Sequence, residues 1–135
     1  MSEQVAKRFI DALGRLEAGR ELDEMVGLFA ADAEVGNVVS PEKFRGPEGA
    51  REFWGAKYRD TFGEVRSTFR NVFATGGRAV LEWTTEGTAK DGAPVKYDGV
   101  SILETDGERI TRFRAYFDAG ALGRQLEGKA HGQGG

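Results

Sequence analysis

Cysteine is absent from the sequence and histidine occurs once. The first absence excludes disulfides, thiolate metal sites and cysteine nucleophiles. The second excludes a two-histidine metal site, and it leaves a Ser-His-Asp triad dependent on His131, in a Gly-rich tail. No metal and no cofactor is expected. Proline is scarce, and no Pro/Ser-rich linker divides the chain. There is no long apolar run and the mean hydropathy is -0.47, which argues against a transmembrane helix. Positive charge is not in excess either: 19 Lys and Arg stand against 22 Asp and Glu, for a net charge of -3. Nucleic acid and anionic membrane are therefore not expected partners, since proteins that bind them concentrate positive charge. The opening Met1-Ser2-Glu3-Gln4 has neither the basic stretch nor the apolar core of an export signal, and a cytoplasmic location is expected. What remains is 135 residues, 39% hydrophobic and 30% charged, which suit one domain with its own core.

The first sixty or so residues read as helical. Val5, Phe9, Leu13 and Leu16, with Ala6 and Ile10, recur at helical spacing, and Gly19 supplies a stop. A shorter helix is predicted over Asp23 to Ala30, then a short strand from Ala33 to Val39. Pro47 fits the first position of a third helix, with Ala50, Phe53, Trp54, Tyr58, Thr61 and Phe62 as its apolar stripe. From Glu64 the period changes to two. Strands are predicted through Phe69 and Phe73, over Arg78 to Thr88, Val95 to Glu104 and Arg109 to Phe117, joined by Gly-rich turns. Helices first and hairpins later mean an α+β domain over 1–126. Residues 127–135 are expected to form a flexible tail, although Leu122 and Leu126 are placed to dock.

Few motifs carry chemistry by themselves. Gly123 to Lys129 matches most of a P-loop, but Ala130 replaces the metal-binding hydroxyl and no strand precedes it, so no nucleotide site is expected. Asp11, Glu17, Asp23 and Glu24 fall on helix faces near Lys and Arg and read as solvated charge. Trp54, Tyr58 and Phe62 suit a core or a pocket wall. Asp98 lies inside a strand, with Val100 and Ile102 on its face and Tyr97, Ser101 and Leu103 on the other. Both faces carry apolar residues, so alternation leaves open which is inside. Facing inward, Asp98 is a desolvated acid or base; facing outward, it pairs with an arginine such as Arg112 or Arg114.

Several phrases in order carry a family resemblance: Leu28 to Val35 after a short helix, Phe44-Arg45-Gly46-Pro47-Glu48-Gly49, Glu86-Gly87-Thr88, Tyr97-Asp98-Gly99-Val100, and Gly107 to Asp118. From about Val5 to Leu126 the chain resembles the nuclear transport factor 2-like superfamily, in its SnoaL-like polyketide cyclase branch. The resemblance implies a cone-shaped, curved antiparallel sheet with about three N-terminal helices covering an apolar pocket, and a homodimer formed through the convex sheet face. Related ketosteroid isomerases, a worked case of acid and base tuning, carry a helix Tyr where this chain has Phe9 and a base Asp where it has Asn37, with a second acid near Asp98. Related cyclases and limonene epoxide hydrolases carry an Asp in the final strand where this chain has Ala115. The hydrolases also use an Asn at the position of Asn37.

The resulting expectation is a pocket protein that binds an apolar small molecule without the family's usual Asp, its wall built from Phe9, Phe29, Trp54, Tyr58, Trp83, Phe113 and Phe117. The alternatives are two. One is an isomerase, cyclase or hydrolase with a rearranged site, using Asp98 or Glu82 as acid or base and Asn37 or Tyr97 to orient substrate. The other is a dimeric structural module whose cone is filled by Trp54, Tyr58, Phe113 and Phe117.

Overall fold

The computed structural model describes residues 2–38 and 44–132. Helix α1 (Ser2–Gly19) buries Val5, Ala6, Phe9, Ala12, Leu13 and Leu16, the stripe that its 3.6-residue period places on one face. It ends at Gly19, and Arg20 takes the left-handed conformation that follows many helices (φ 61°). The next helix, α2, is one turn only (Asp23–Val26), because Phe29 and Ala30 are claimed by strand β1 (Phe29–Asn37). Sheet pairing thus overrides the helical reading of Asp23 to Ala30; Val39 lies outside the described residues. Strand β2 (Phe44–Arg45) leads into α3 (Gly46–Arg51), with Pro47 in its first turn as predicted. α3 continues directly as a π-helical stretch, Glu52–Arg59, so the apolar stripe ends at Tyr58 and Phe62 already belongs to the sheet.

Four long strands follow: β3 (Phe62–Thr75), β4 (Arg78–Ala89), β5 (Pro94–Thr105) and β6 (Ile110–Phe117). They lie close to the predicted spans because period-two alternation and Gly-containing turns are strong local signals. The six strands run in the order β2-β1-β6-β5-β4-β3, with β1 joining β6 in parallel and every other pair antiparallel. Register shifts in β3 between Phe62 and Val65 and between Phe69 and Asn71 bend the sheet. At Gly87, opposite the first of them, a Cβ would lie 1.9 Å from the Glu64 carbonyl oxygen, so the two strands close up there only around glycine. The curved sheet wraps α1, giving the α+β class read from the element order and the cone that the resemblance implies.

A last helix, α4 (Ala119–Gly132), follows the sheet, and Leu122 docks from it; residues 133–135 lie outside the described ones. Asp118 accepts the Ala121 N–H at 2.9 Å and starts the helix. Leu122 is buried with Phe62, Ala89, Ala93 and Val95. The backbone of Lys96 lies beyond the stretch of β5 that β6 covers, and the Gln125 amide bonds both its N–H (2.6 Å) and its carbonyl (2.9 Å). That side chain substitutes for a missing strand neighbour and pins α4 across the mouth of the cone.

Candidate functional site

Inside the cone lies a cavity of about 450 Å³. Its wall is largely aromatic: Phe9, Phe53, Trp54, Tyr58, Phe62, Phe69, Trp83, Tyr97, Phe113 and Phe117. Phe9, Trp54 and Phe113 hold one another edge-on or tilted at 5.1–5.7 Å between ring centres, within the range such pairs favour. Exposed Lys57, on the π-helical stretch, and Leu122 and Leu126, on α4, contribute to the rim. Two of the lining residues carry buried indole donors. The Trp83 indole N–H donates to Ser101 Oγ at 2.9 Å. Trp54 is 4% exposed, and its indole nitrogen has no partner among the described residues. A buried N–H without an acceptor costs about 1–3 kcal/mol.

The most polar part of the wall is organised by Glu17, on α1. Its carboxylate accepts the Tyr58 O–H at 2.5 Å, the Ser67 O–H at 2.6 Å and the Ser67 N–H at 2.8 Å. Ser67 Oγ lies 2.6 Å from Thr85 Oγ1, and Thr85 is the register partner of Tyr97 across β4 and β5. Four of these residues, Tyr58, Ser67, Thr85 and Tyr97, line the cavity. Desolvation pushes the Glu17 carboxyl above its ordinary value, and the bonds from Ser67 and Tyr58 offset only part of that. Burial, and then the nearby Glu17 charge, push the Tyr58 and Tyr97 phenols up, so both stay protonated at neutral pH. Among the described residues no cluster of His, Cys, Asp and Glu could hold a metal ion, and no helix is long and apolar enough to cross a membrane.

Comparison with known proteins agrees with this geometry. The sequence profile of the SnoaL-like domain matches residues 6–113. The chain belongs to the SnoaL-like domain family. No curated protein matches it significantly. Among solved structures, TerC co-crystallised with polyporic acid superposes with a TM-score of 0.80 at 20% identity, covering 93% of this chain and 98% of TerC. A hypothetical protein of ketosteroid isomerase-like fold from Catenulispora acidiphila, in complex with trimethylamine, reaches 0.75 at 23% identity over 87% of this chain and 91% of that one. An epoxide hydrolase from M. tuberculosis, LEH-like, reaches 0.69 at 20% identity over 95% and 94%. At such identities the likeness establishes a shared cone fold and no shared chemistry.

Within this SnoaL-like domain, Phe9, Asn37 and Ala115 all reach the cavity wall. Asn37 and Ala115 are register partners across β1 and β6, and Ala115 faces Ser101 across β5. Trp54, Tyr58, Trp83, Phe113 and Phe117 also line the cavity. Phe29 does not. It is buried beside Ile110 at the start of β1, away from the wall. Asp98 requires the larger correction, because its side chain is 68% exposed on the outer face of the sheet. There it accepts the Thr84 O–H at 2.5 Å and lies 3.8 Å from Arg70, rather than from Arg112 or Arg114. Glu82 is on the same outer face, bonded by Asn71 and near Arg70. Parity is decided by packing: Tyr97, Ser101 and Leu103 face inward, and at Gly99 between them the Trp83 ring fills the space a Cβ would need, 2.4 Å away. The acid that does approach the cavity is Glu17, which the sequence presents as one more charge on an amphipathic helix. Its only prior signal is position, four residues after Leu13 on the buried stripe.

Proposed function

We propose that this SnoaL-like domain binds an apolar, largely aromatic small molecule in its cone, without the proton-transferring Asp that related cyclases carry in the final strand. The observation that carries this reading is the cavity of about 450 Å³, aromatic on most sides and supplied with few polar groups, the usual make-up of small-molecule sites. Ala115 on the wall where the resemblance places an acid supports it. The cavity also counts against a filled structural cone. Two relatives of the same fold hold small molecules, polyporic acid in one and trimethylamine in the other.

The test is a thermal-shift screen with aromatic ketones, lactones, epoxides and steroid-like compounds. A ligand at about 100 times its Kd adds about 2.7 kcal/mol, and Ala115→Phe, which fills the cavity, abolishes the shift while the domain stays folded. A hit that binds Ala115→Phe equally well overturns the assignment of the cavity as its site.

A second reading, an isomerase, cyclase or hydrolase with a rearranged carboxylate, is favoured by one observation: the desolvated Glu17 connects through Tyr58 to the cavity. Turnover of a hit that Glu17→Gln abolishes would establish it. As partner we infer a second copy of the chain, seated on the outer sheet face. There Phe73 (66% exposed) and Tyr116 (45%) flank Val80, Val100 and Ile102, an apolar patch that a dimer would cover. A sedimentation mass of one chain at micromolar concentration overturns that.

A further inference from the structure

At Ser101 the inner face of β5 carries a hydroxyl in an apolar field. Ser101 is 3% exposed and lines the cavity, and its side chain is no more than a methylene and the Oγ atom. Its neighbours on that face are Gly99 and Leu103 along β5, Leu81 across β4 and Ala115 across β6. None of their side chains can accept a hydrogen bond. The Trp83 indole can only donate, so across the 2.9 Å contact Ser101 Oγ is the acceptor. The serine therefore keeps its own proton, and among the described residues nothing takes it. Packing limits where that proton can point. The Trp83 ring occupies the space above Gly99, and Leu81 and Leu103 are fully buried on two further sides. The side left open is that of Ala115, a single methyl on the cavity wall.

We propose that Ser101 is a ligand-binding residue: its O–H donates to an acceptor oxygen seated over the Ala115 methyl, and so selects aromatic ligands that carry a carbonyl there. The proposal rests on the small-molecule reading above and names the ligand class, a ketone, quinone or lactone on an aromatic body. Opposed residues on paired strands hold their Cβ atoms about 5 Å apart, so an atom resting on the methyl is within hydrogen-bond reach of Oγ. Selectivity arises from what each ligand does to the serine proton. A hydrocarbon that fills the cone leaves it without an acceptor, which is costly in a desolvated wall. A carbonyl in the same place takes it. Ala115 makes the room, since a larger side chain there would cover the hydroxyl from the β6 side. The other polar wall groups stand further off. Asn37 lies beyond Ala115 on β1, about 10 Å from Ser101 at two strand spacings, and Tyr97 lies four residues back, about 13 Å along β5.

The test compares benzophenone with diphenylmethane, which differ only in a carbonyl against a methylene, by calorimetry with the protein as titrant. Ser101→Ala also orphans the Trp83 N–H, which would then be free to serve the ketone itself. The hydroxyl is therefore removed in a Trp83→Phe background. From Trp83→Phe to the Trp83→Phe, Ser101→Ala double variant, the ratio of affinities is expected to move toward diphenylmethane by at least about fivefold, the scale of one hydrogen bond. An unmoved ratio with both probes bound overturns the role of Ser101 and leaves the cavity as a binding site. Should either variant fail to fold, the carbonyl stretch of isotope-labelled benzophenone bound to wild type decides. A frequency below that of the ketone in hexane is expected, and one equal to it overturns the hydrogen bond. If neither probe binds wild type, the cavity reading fails and the role of Ser101 with it.

Discussion

Replacing Glu17 with alanine removes the acceptor for three donors at once, namely the Tyr58 O–H, the Ser67 O–H and the Ser67 N–H. The Ser67 hydroxyl can turn to Thr85, already 2.6 Å away, so two donors are left without a partner. At about 1–3 kcal/mol for each orphaned buried group, the gross loss is about 2–6 kcal/mol. Removing a desolvated charge returns part of that, and the net destabilisation expected at neutral pH is about 2–4 kcal/mol. Glu17→Gln keeps an acceptor for the Ser67 N–H and is expected to lose about 1 kcal/mol or less. Equilibrium urea unfolding measures both, from the midpoint and slope. The pH dependence has a definite sign. The folded-state pKa of Glu17 is raised, so the native state holds its proton at pH values where the unfolded chain has released it. The stability contributed by that proton is full below the ordinary glutamate value and is lost as pH rises through the folded value. Glu17→Gln lacks this decline. An alanine variant within about 0.5 kcal/mol of wild type, or an undiminished pH slope in the glutamine variant, refutes the argument.

Two further predictions follow from the sheet. Gly99→Ala places a Cβ 2.4 Å from the Trp83 ring and 2.8 Å from the Tyr116 carbonyl oxygen. The indole must move off Ser101, at a cost of about 1–3 kcal/mol, read as a lower Tm together with a shifted tryptophan emission; an unchanged emission would mean the ring had room. Asp98→Ala removes only an exposed contact with Thr84 and Arg70, so ligand-induced thermal shifts should match wild type. Their loss would return Asp98 to the site.

Most of the fold was legible locally. The period-two runs in β3 to β6 and the stripe on α1 are patterns of burial on one face, and such patterns survive in one dimension. The helix expected to reach Ala30 stopped at Val26 because β1 pairs with β6, a contact between residues about eighty positions apart. Helix α4 went unread because its anchors also lie far along the chain: Leu122 in a cluster with Phe62 and Val95, and Gln125 on the backbone of Lys96. Alternation in β5 separated Asp98 from Tyr97 and Ser101 but carried no sign, since Val100 and Ile102 match Leu103 in hydropathy.

What the sequence determined alone was therefore exclusion and pattern. Without cysteine and with one histidine, acid–base work falls to carboxylates and phenols, and the wall positions Phe9, Asn37 and Ala115 could be named through a resemblance. Only the tertiary structure chose among the 22 acids. Whether a carboxylate is solvent-facing charge or a desolvated end group depends on which donors other elements bring to it. Asp98 met Thr84 and Arg70 in the open, while Glu17 met Tyr58 and Ser67 at the wall of the cone.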